Sequence, residues 1–124
     1  VTGDMDSIMV GLACGEPNPV AWEILKYVGD CFVSVPDWVT AKGMRTLGNP
    51  LQDDVRVISG ESGAVTLGLL SIVAGSDQFM ELKHDLALDN QSKVLLISTE
   101  GNTDADMYRR IVWDGAYPSL LPTI

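Results

Sequence analysis

The chain has 124 residues, about the size of one domain, and at that length it can bury roughly two thirds of its unfolded surface. A 46% hydrophobic and 20% charged composition excludes a disordered segment, and no apolar run approaches the roughly 18–20 residues that cross a bilayer. Seventeen acidic residues against eight basic ones give a net charge of -9; the basic residues are scattered, with Arg109–Arg110 the only adjacent pair, which excludes a phosphate-reading nucleic-acid surface.

The opening stretch "VTGDMDSIMVGLACGEPNP" contains neither a capped helix nor a clean strand. It reads as a ragged processed end or as the continuation of an upstream segment. A helix is predicted over 19–28: Asn18 caps it, Pro19 suits its first position, Val20, Ile24, Leu25 and Val28 recur at helical spacing, and Gly29 ends it. "CFVSV", residues 31–35, is predicted as a buried strand closed by Pro36. "PDWVTAKGMRTLG" follows as a helix with Asp37 favourable to its dipole and Gly43 weakening its interior.

"NPLQDD" is a loop, and "VRVIS", residues 55–59, is the second predicted strand. "ESGAVTLGLLSIVAG" is a helix apolar enough to be buried on most sides, and "SDQFMELKHDLAL" an amphipathic helix with Ser76 as its cap. Asn90 and Gln91 mark a turn before the third predicted strand, "SKVLLIST", residues 92–99. "TDADMYRRIVWDG" is a final helix capped by Thr103 or Asp104 and stopped by Gly115, and the tail "AYPSLLPTI" is irregular. Helices alternating with short apolar strands predict an α/β fold: a single domain over 1–124, with a short, mostly parallel sheet of about three strands flanked by helices.

Cys14 and Cys31 form no CxxC pair and have no nearby His, which argues against zinc. With no secretory leader evident, they are expected to be reduced in the cytoplasm, although their spacing leaves a disulfide open. His84, in "ELKHDL", is expected at a solvated helical position. Two strand ends carry the polar chemistry: "ISGESGA", residues 58–64, and "ISTEGNTD", residues 97–104, each leading into a helix. Ligands of α/β sheets bind beyond such ends, where glycines admit close approach and free helix N–H groups favour an anion. Ser59, Ser62, Ser98 and Thr99 supply hydroxyls that donate and accept. Locally, helix caps and turns explain these residues more simply than a ligand does, and no phosphate-loop fingerprint is present.

The order of segments adds to this. "ACGEPNP", then "SGESGA", then "STEGNTD", with helix–strand–helix between, resembles the C-terminal part of pyridoxal-phosphate enzymes of the tryptophan-synthase-β type. Within that group the resemblance is to the diaminopropionate ammonia-lyases, and it covers nearly the whole chain. It implies a fragment of a larger doubly wound domain. In the intact family, pyridoxal phosphate would serve the conversion of 2,3-diaminopropionate to pyruvate and ammonia. Thr99 would hydrogen-bond the pyridine nitrogen, or Ser98 if the register slips by one, and Gly60, Glu61, Ser62 and Gly63 would line the cofactor side. Threonine deaminases place a Glu one residue earlier, where this sequence has Gly60.

The family attaches its cofactor to a lysine, and holds the phosphate in a glycine-rich loop, in earlier segments; Lys26, Lys42, Lys83 and Lys93 match neither motif. The resemblance therefore implies a chain that is inactive and without cofactor on its own, completed by an N-terminal segment or by self-association as a homo-oligomer. The other reading is a non-catalytic module that self-associates or binds a partner. An unrelated small binding domain is the third.

Overall fold

A computed structural model describes residues 4–120; residues 1–3 of the opening stretch and 121–124 of the tail lie outside the described residues. Within these bounds the elements are a 3-10 turn Val10–Leu12, α1 (Pro19–Val28), α2 (Asp37–Gly48), α3 (Glu61–Gly75), a 3-10 turn Asp77–Phe79, α4 (Met80–Asp85) and α5 (Ala105–Val112).

The helices begin where local chemistry directs them. The Asn18 side chain accepts from the Val20 and Ala21 amides at 2.9 and 3.1 Å, with Pro19 at the first position of α1. Asp104 caps α5 by accepting from Met107 N–H at 2.9 Å, which decides between it and Thr103. Ser76 accepts from Gln78 N–H at 3.3 Å, but it caps the 3-10 turn rather than a long helix. The predicted amphipathic helix thus splits, and α4 stops at Asp85, shortly before Ala87 takes a φ of 50°.

The core is a crossing of α2 over α3, with α5 packed against α2. Gly43, expected to weaken α2, is the reason the crossing is close. A Cβ at Gly43 would fall inside van der Waals contact with the Ala64 carbonyl and 2.9 Å from the Gly68 amide, and one at Gly68 would strike the Val39 carbonyl. Around this contact Ala41, Met44, Ala64, Tyr108 and Ile111 are buried together. Thr40 Oγ1 donates to the Glu61 carbonyl, fixing the first turn of α3 on α2. Arg45 ties down the chain beyond α5: its guanidinium donates to the carbonyls of Ile111, Ala116 and Tyr117 at 3.2, 2.9 and 3.0 Å. Partial burial there lowers the Arg45 pKa from its ordinary value.

The predicted sheet is not formed. Among the described residues there is no strand: 31–35, 55–59 and 92–99 carry no ladder hydrogen bonds. The expected α/β fold, with about three parallel strands as part of a doubly wound domain, is corrected to a helical one. The physical reason is pairing. An apolar β-rich run becomes a strand only when another strand supplies its N–H and C=O partners, and among the described residues these three runs exchange no backbone hydrogen bonds, although 55–59 and 92–99 touch at their ends through Ser59 and Ser98. Val57 N–H instead donates to the Leu47 carbonyl at the end of α2, at 3.0 Å. Val55 and Leu95 are 83% and 85% exposed. The expected burial of α3 also holds mainly on its α2 side, where Ala64, Gly68, Ile72 and Val73 are buried, while Thr66 and Ala74 are exposed.

No single helix among the described residues is long and apolar enough to cross a membrane; only α3 with the Asp77–Asp85 stretch passes such a test as a pair, and the two are bent by 98°. Cys14 and Cys31 are exposed and free. His84 is exposed on α4, 3.6 Å from Asp85 Oδ1.

Candidate functional site

The two turns singled out by their composition lie against each other. Gly60 N–H donates to the Glu100 carbonyl at 2.9 Å, and the Ser59 and Ser98 hydroxyls are 2.7 Å apart. Both hydroxyls also reach the Glu100 carbonyl, at 3.3 and 3.2 Å. The glycines make this contact possible. A Cβ at Gly63 would lie 2.6 Å from Ser59 Oγ and 2.8 Å from Ser98 Oγ, and one at Gly60 would lie 2.5 Å from the Gly101 carbonyl. The space that glycine leaves open is therefore filled by the neighbouring turn.

The head of α3 does hold an anion, and it belongs to the chain. Glu100 Oε2 accepts from Ser62 N–H at 2.7 Å, and Oε1 accepts from the Thr103 hydroxyl at 3.3 Å. A carboxylate in that position satisfies a free helix N–H and meets the positive end of the helix dipole, worth about 0.3–1 kcal/mol. Glu61, the first residue of α3, is buried with its Oε1 unpartnered. Its pKa is raised, first by burial and then by the charges of Glu100 and Asp104, with its own amide opposing the shift. Ser62 Oγ is likewise buried without a partner.

Six residues were expected at the site, and the structure divides them. Gly60, Glu61, Ser62 and Gly63 are buried at the head of α3, while Ser98 and Thr99 are exposed at the end of the 92–99 run. Ser98 is engaged by Ser59 and by the Glu100 carbonyl. Thr99 makes no side-chain hydrogen bond among the described residues, so its hydroxyl remains available to donate. Glu100 went unrecognised in the sequence. Its signal was available: an acid in a turn whose neighbour in space opens a helix.

These residues fit one side of pyridoxal phosphate. Exposed hydroxyls at 98 and 99, with the small residues 60 and 63 behind them, suit the neutral edge of a pyridine ring. The phosphate has no counterpart at the head of α3, because Glu100 already occupies its amide and would repel a second anion.

No protein-family profile matches the chain. Comparison with individual proteins is decisive. Over 117 residues, 94% of its length, the chain is 55% identical to diaminopropionate ammonia-lyase of Escherichia coli strain K12. The Salmonella typhimurium enzyme of the same name is 49% identical over 116 residues. The chain corresponds to one part of a diaminopropionate ammonia-lyase. Its fold agrees with that of the Escherichia coli enzyme solved in complex with an aminoacrylate-PLP azomethine reaction intermediate: TM-score 0.86 at 54% identity, over 90% of this chain and 29% of that one. The expected resemblance and the expected partial span both hold, since the chain spans about 29% of the length of the ammonia-lyases it matches.

Proposed function

We propose that this chain forms one wall of the pyridoxal-phosphate site of a diaminopropionate ammonia-lyase and is inactive alone. The observation that carries the reading is the joining of the 58–64 and 97–104 turns through the Ser59–Ser98 hydroxyl pair. That contact sets the exposed Thr99 hydroxyl on a rigid base. When bound, the cofactor supplies an electron sink for the bonds at the amino acid's α-carbon.

This chain's contribution is to orient the ring. Thr99 Oγ1 would donate to the pyridine nitrogen, with Ser98 and Ser59 holding the turn behind it. A neutral hydroxyl leaves that nitrogen largely unprotonated, which suits an elimination in which a leaving group departs early. The phosphate and the attaching lysine are supplied by other segments of the enzyme, and the amino-acid substrate is 2,3-diaminopropionate. A complementary N-terminal segment, or a second copy, completes the site. A cytoplasmic setting fits exposed, free Cys14 and Cys31.

A chimera tests this reading. In the Escherichia coli enzyme the matched 117 residues are replaced by those of this chain, and pyruvate formation from 2,3-diaminopropionate is followed. Activity is expected in the chimera and none from the 124-residue chain mixed with cofactor. Thr99→Asp should lower turnover by about tenfold or more without loss of helical content, and Thr99→Ser should largely restore it. A folded but inactive chimera, or one indifferent to Thr99→Asp, contradicts the assignment.

A further inference from the structure

A cleft of about 570 Å3 opens between residues 6–10, the start of α2, the head of α3 and the 100–104 turn. Five carboxylates line it, those of Asp6, Asp37, Glu61, Glu100 and Asp104, and its lining contains no Lys, Arg or His. Three of the five are already used within the fold. Asp37 accepts from Ser7 Oγ at 2.7 Å and from Ile8 N–H at 3.2 Å, Glu100 from Ser62 N–H, and Asp104 from Met107 N–H. Glu61 differs from them: it is 5% exposed, and its Oε1 has no hydrogen-bond partner.

A buried carboxylate with one oxygen unpartnered is costly, and like charges beside it add to the cost. Two remedies exist: the group takes up a proton, or a cation enters the cleft. Four further carboxylates face the same space, and their negative potential draws a cation as well as a proton. The kind of cation follows from their spacing. Among the described residues no group of three His, Cys, Asp or Glu is placed to hold a metal ion. A multiply coordinated metal therefore does not fit. An ammonium group does, because it needs one strong acceptor and carries its own directed N–H donors. Ile8, Val10 and Met107 add apolar lining against which a short alkyl stem can pack.

We propose that this cleft binds the primary ammonium group of a small amine, with the Glu61 carboxylate as its principal acceptor. The source of that group rests on the proposed lyase reading: either the second amino group of a diamino acid or the free ammonium that its elimination releases. Binding itself needs neither cofactor nor turnover, so it stands or falls apart from the chimera experiment.

The test uses the 124-residue chain, with amide and Glu61 carboxyl resonances followed by NMR at constant ionic strength. The probes are ammonium, methylammonium and 2,3-diaminopropionate, with sodium and tetramethylammonium as cations that donate no N–H. Methylammonium or ammonium should give saturable shifts at Ser62, Glu100 and Asp104, and should lower the apparent pKa of Glu61. Glu61→Gln should weaken that binding by about tenfold or more. Stronger binding of methylammonium and diaminopropionate assigns the site to a substrate amine, and saturation by ammonium alone assigns it to the released ion. Equal responses to sodium and tetramethylammonium overturn the proposal on the unmutated chain. So does a Glu61→Gln chain that keeps its helical content and binds as before.

Discussion

Glu100 occupies the head of α3, where the residue types alone favour caps and turns over a ligand. A serine, a glycine and free amides beside a second polar turn compose an anion site equally well for a cofactor phosphate and for a side chain of the same protein. Distance decides, and Ser62 N–H donates to Glu100 at 2.7 Å. Composition made the two turns legible as partners. Which acid would answer which amide was not legible, because residues 62 and 100 meet only in the folded chain. Burial of Glu61 has a consequence for stability. Its carboxyl titrates above the ordinary glutamate range in the folded chain and within that range when unfolded. Across that interval the folded state keeps a proton that the unfolded state has lost. Stability is therefore fully present below the ordinary range and falls as pH rises through the raised folded value. Glu61→Gln should remove this decline, leaving a flatter profile of melting temperature against pH above the ordinary glutamate range. A variant with the parent's slope would place the shift elsewhere.

Between elements, the decisive contact is that of α2 with α3, and it depends on two positions without side chains. Gly43 and Gly68 each face a carbonyl of the opposite helix, so a methyl group at either site must push the helices apart. Gly43→Ala should cost about 1–3 kcal/mol or more, through overpacking that outweighs the gain in helix propensity. Gly75→Ala, where a Cβ meets nothing within 4 Å, is the control and should be neutral or slightly stabilising. Thermal unfolding of the two variants reads the difference; equal melting temperatures would mean that the crossing is looser than its geometry. Helix starts were readable in advance, since Asn18 and Asp104 cap by contacts within three residues. The runs at 31–35, 55–59 and 92–99 were not. Their β-rich composition specifies a preference, while a strand also needs hydrogen-bond partners that these segments do not give one another.

For the whole molecule, the consequence is an unusual surface: α1 is exposed throughout, and so are most residues of the three apolar runs. Tyr27, Phe32, Val55, Leu95 and Trp113 all lie largely open and Trp22 is half-exposed, far more apolar area than isolated surface residues contribute. A net charge of -9 opposes the association that such a surface favours. The two forces respond differently to salt. Repulsion between exposed charges is screened over about 10 Å at 0.1 M and about 3 Å at 1 M, whereas apolar contact survives. The chain alone is therefore expected to be largely monomeric at low ionic strength and to self-associate as salt rises, with binding of a hydrophobic dye at every salt concentration. In the chimera with the Escherichia coli enzyme, the same dye should bind far less under the proposed reading, in which other segments of that enzyme cover these residues. Sedimentation velocity across a salt series, with dye fluorescence in parallel, distinguishes the outcomes. A chain that stays monomeric and dye-free in high salt would show that its exposed apolar residues are too dispersed to act as one interface, and would remove self-association as a way of completing the site.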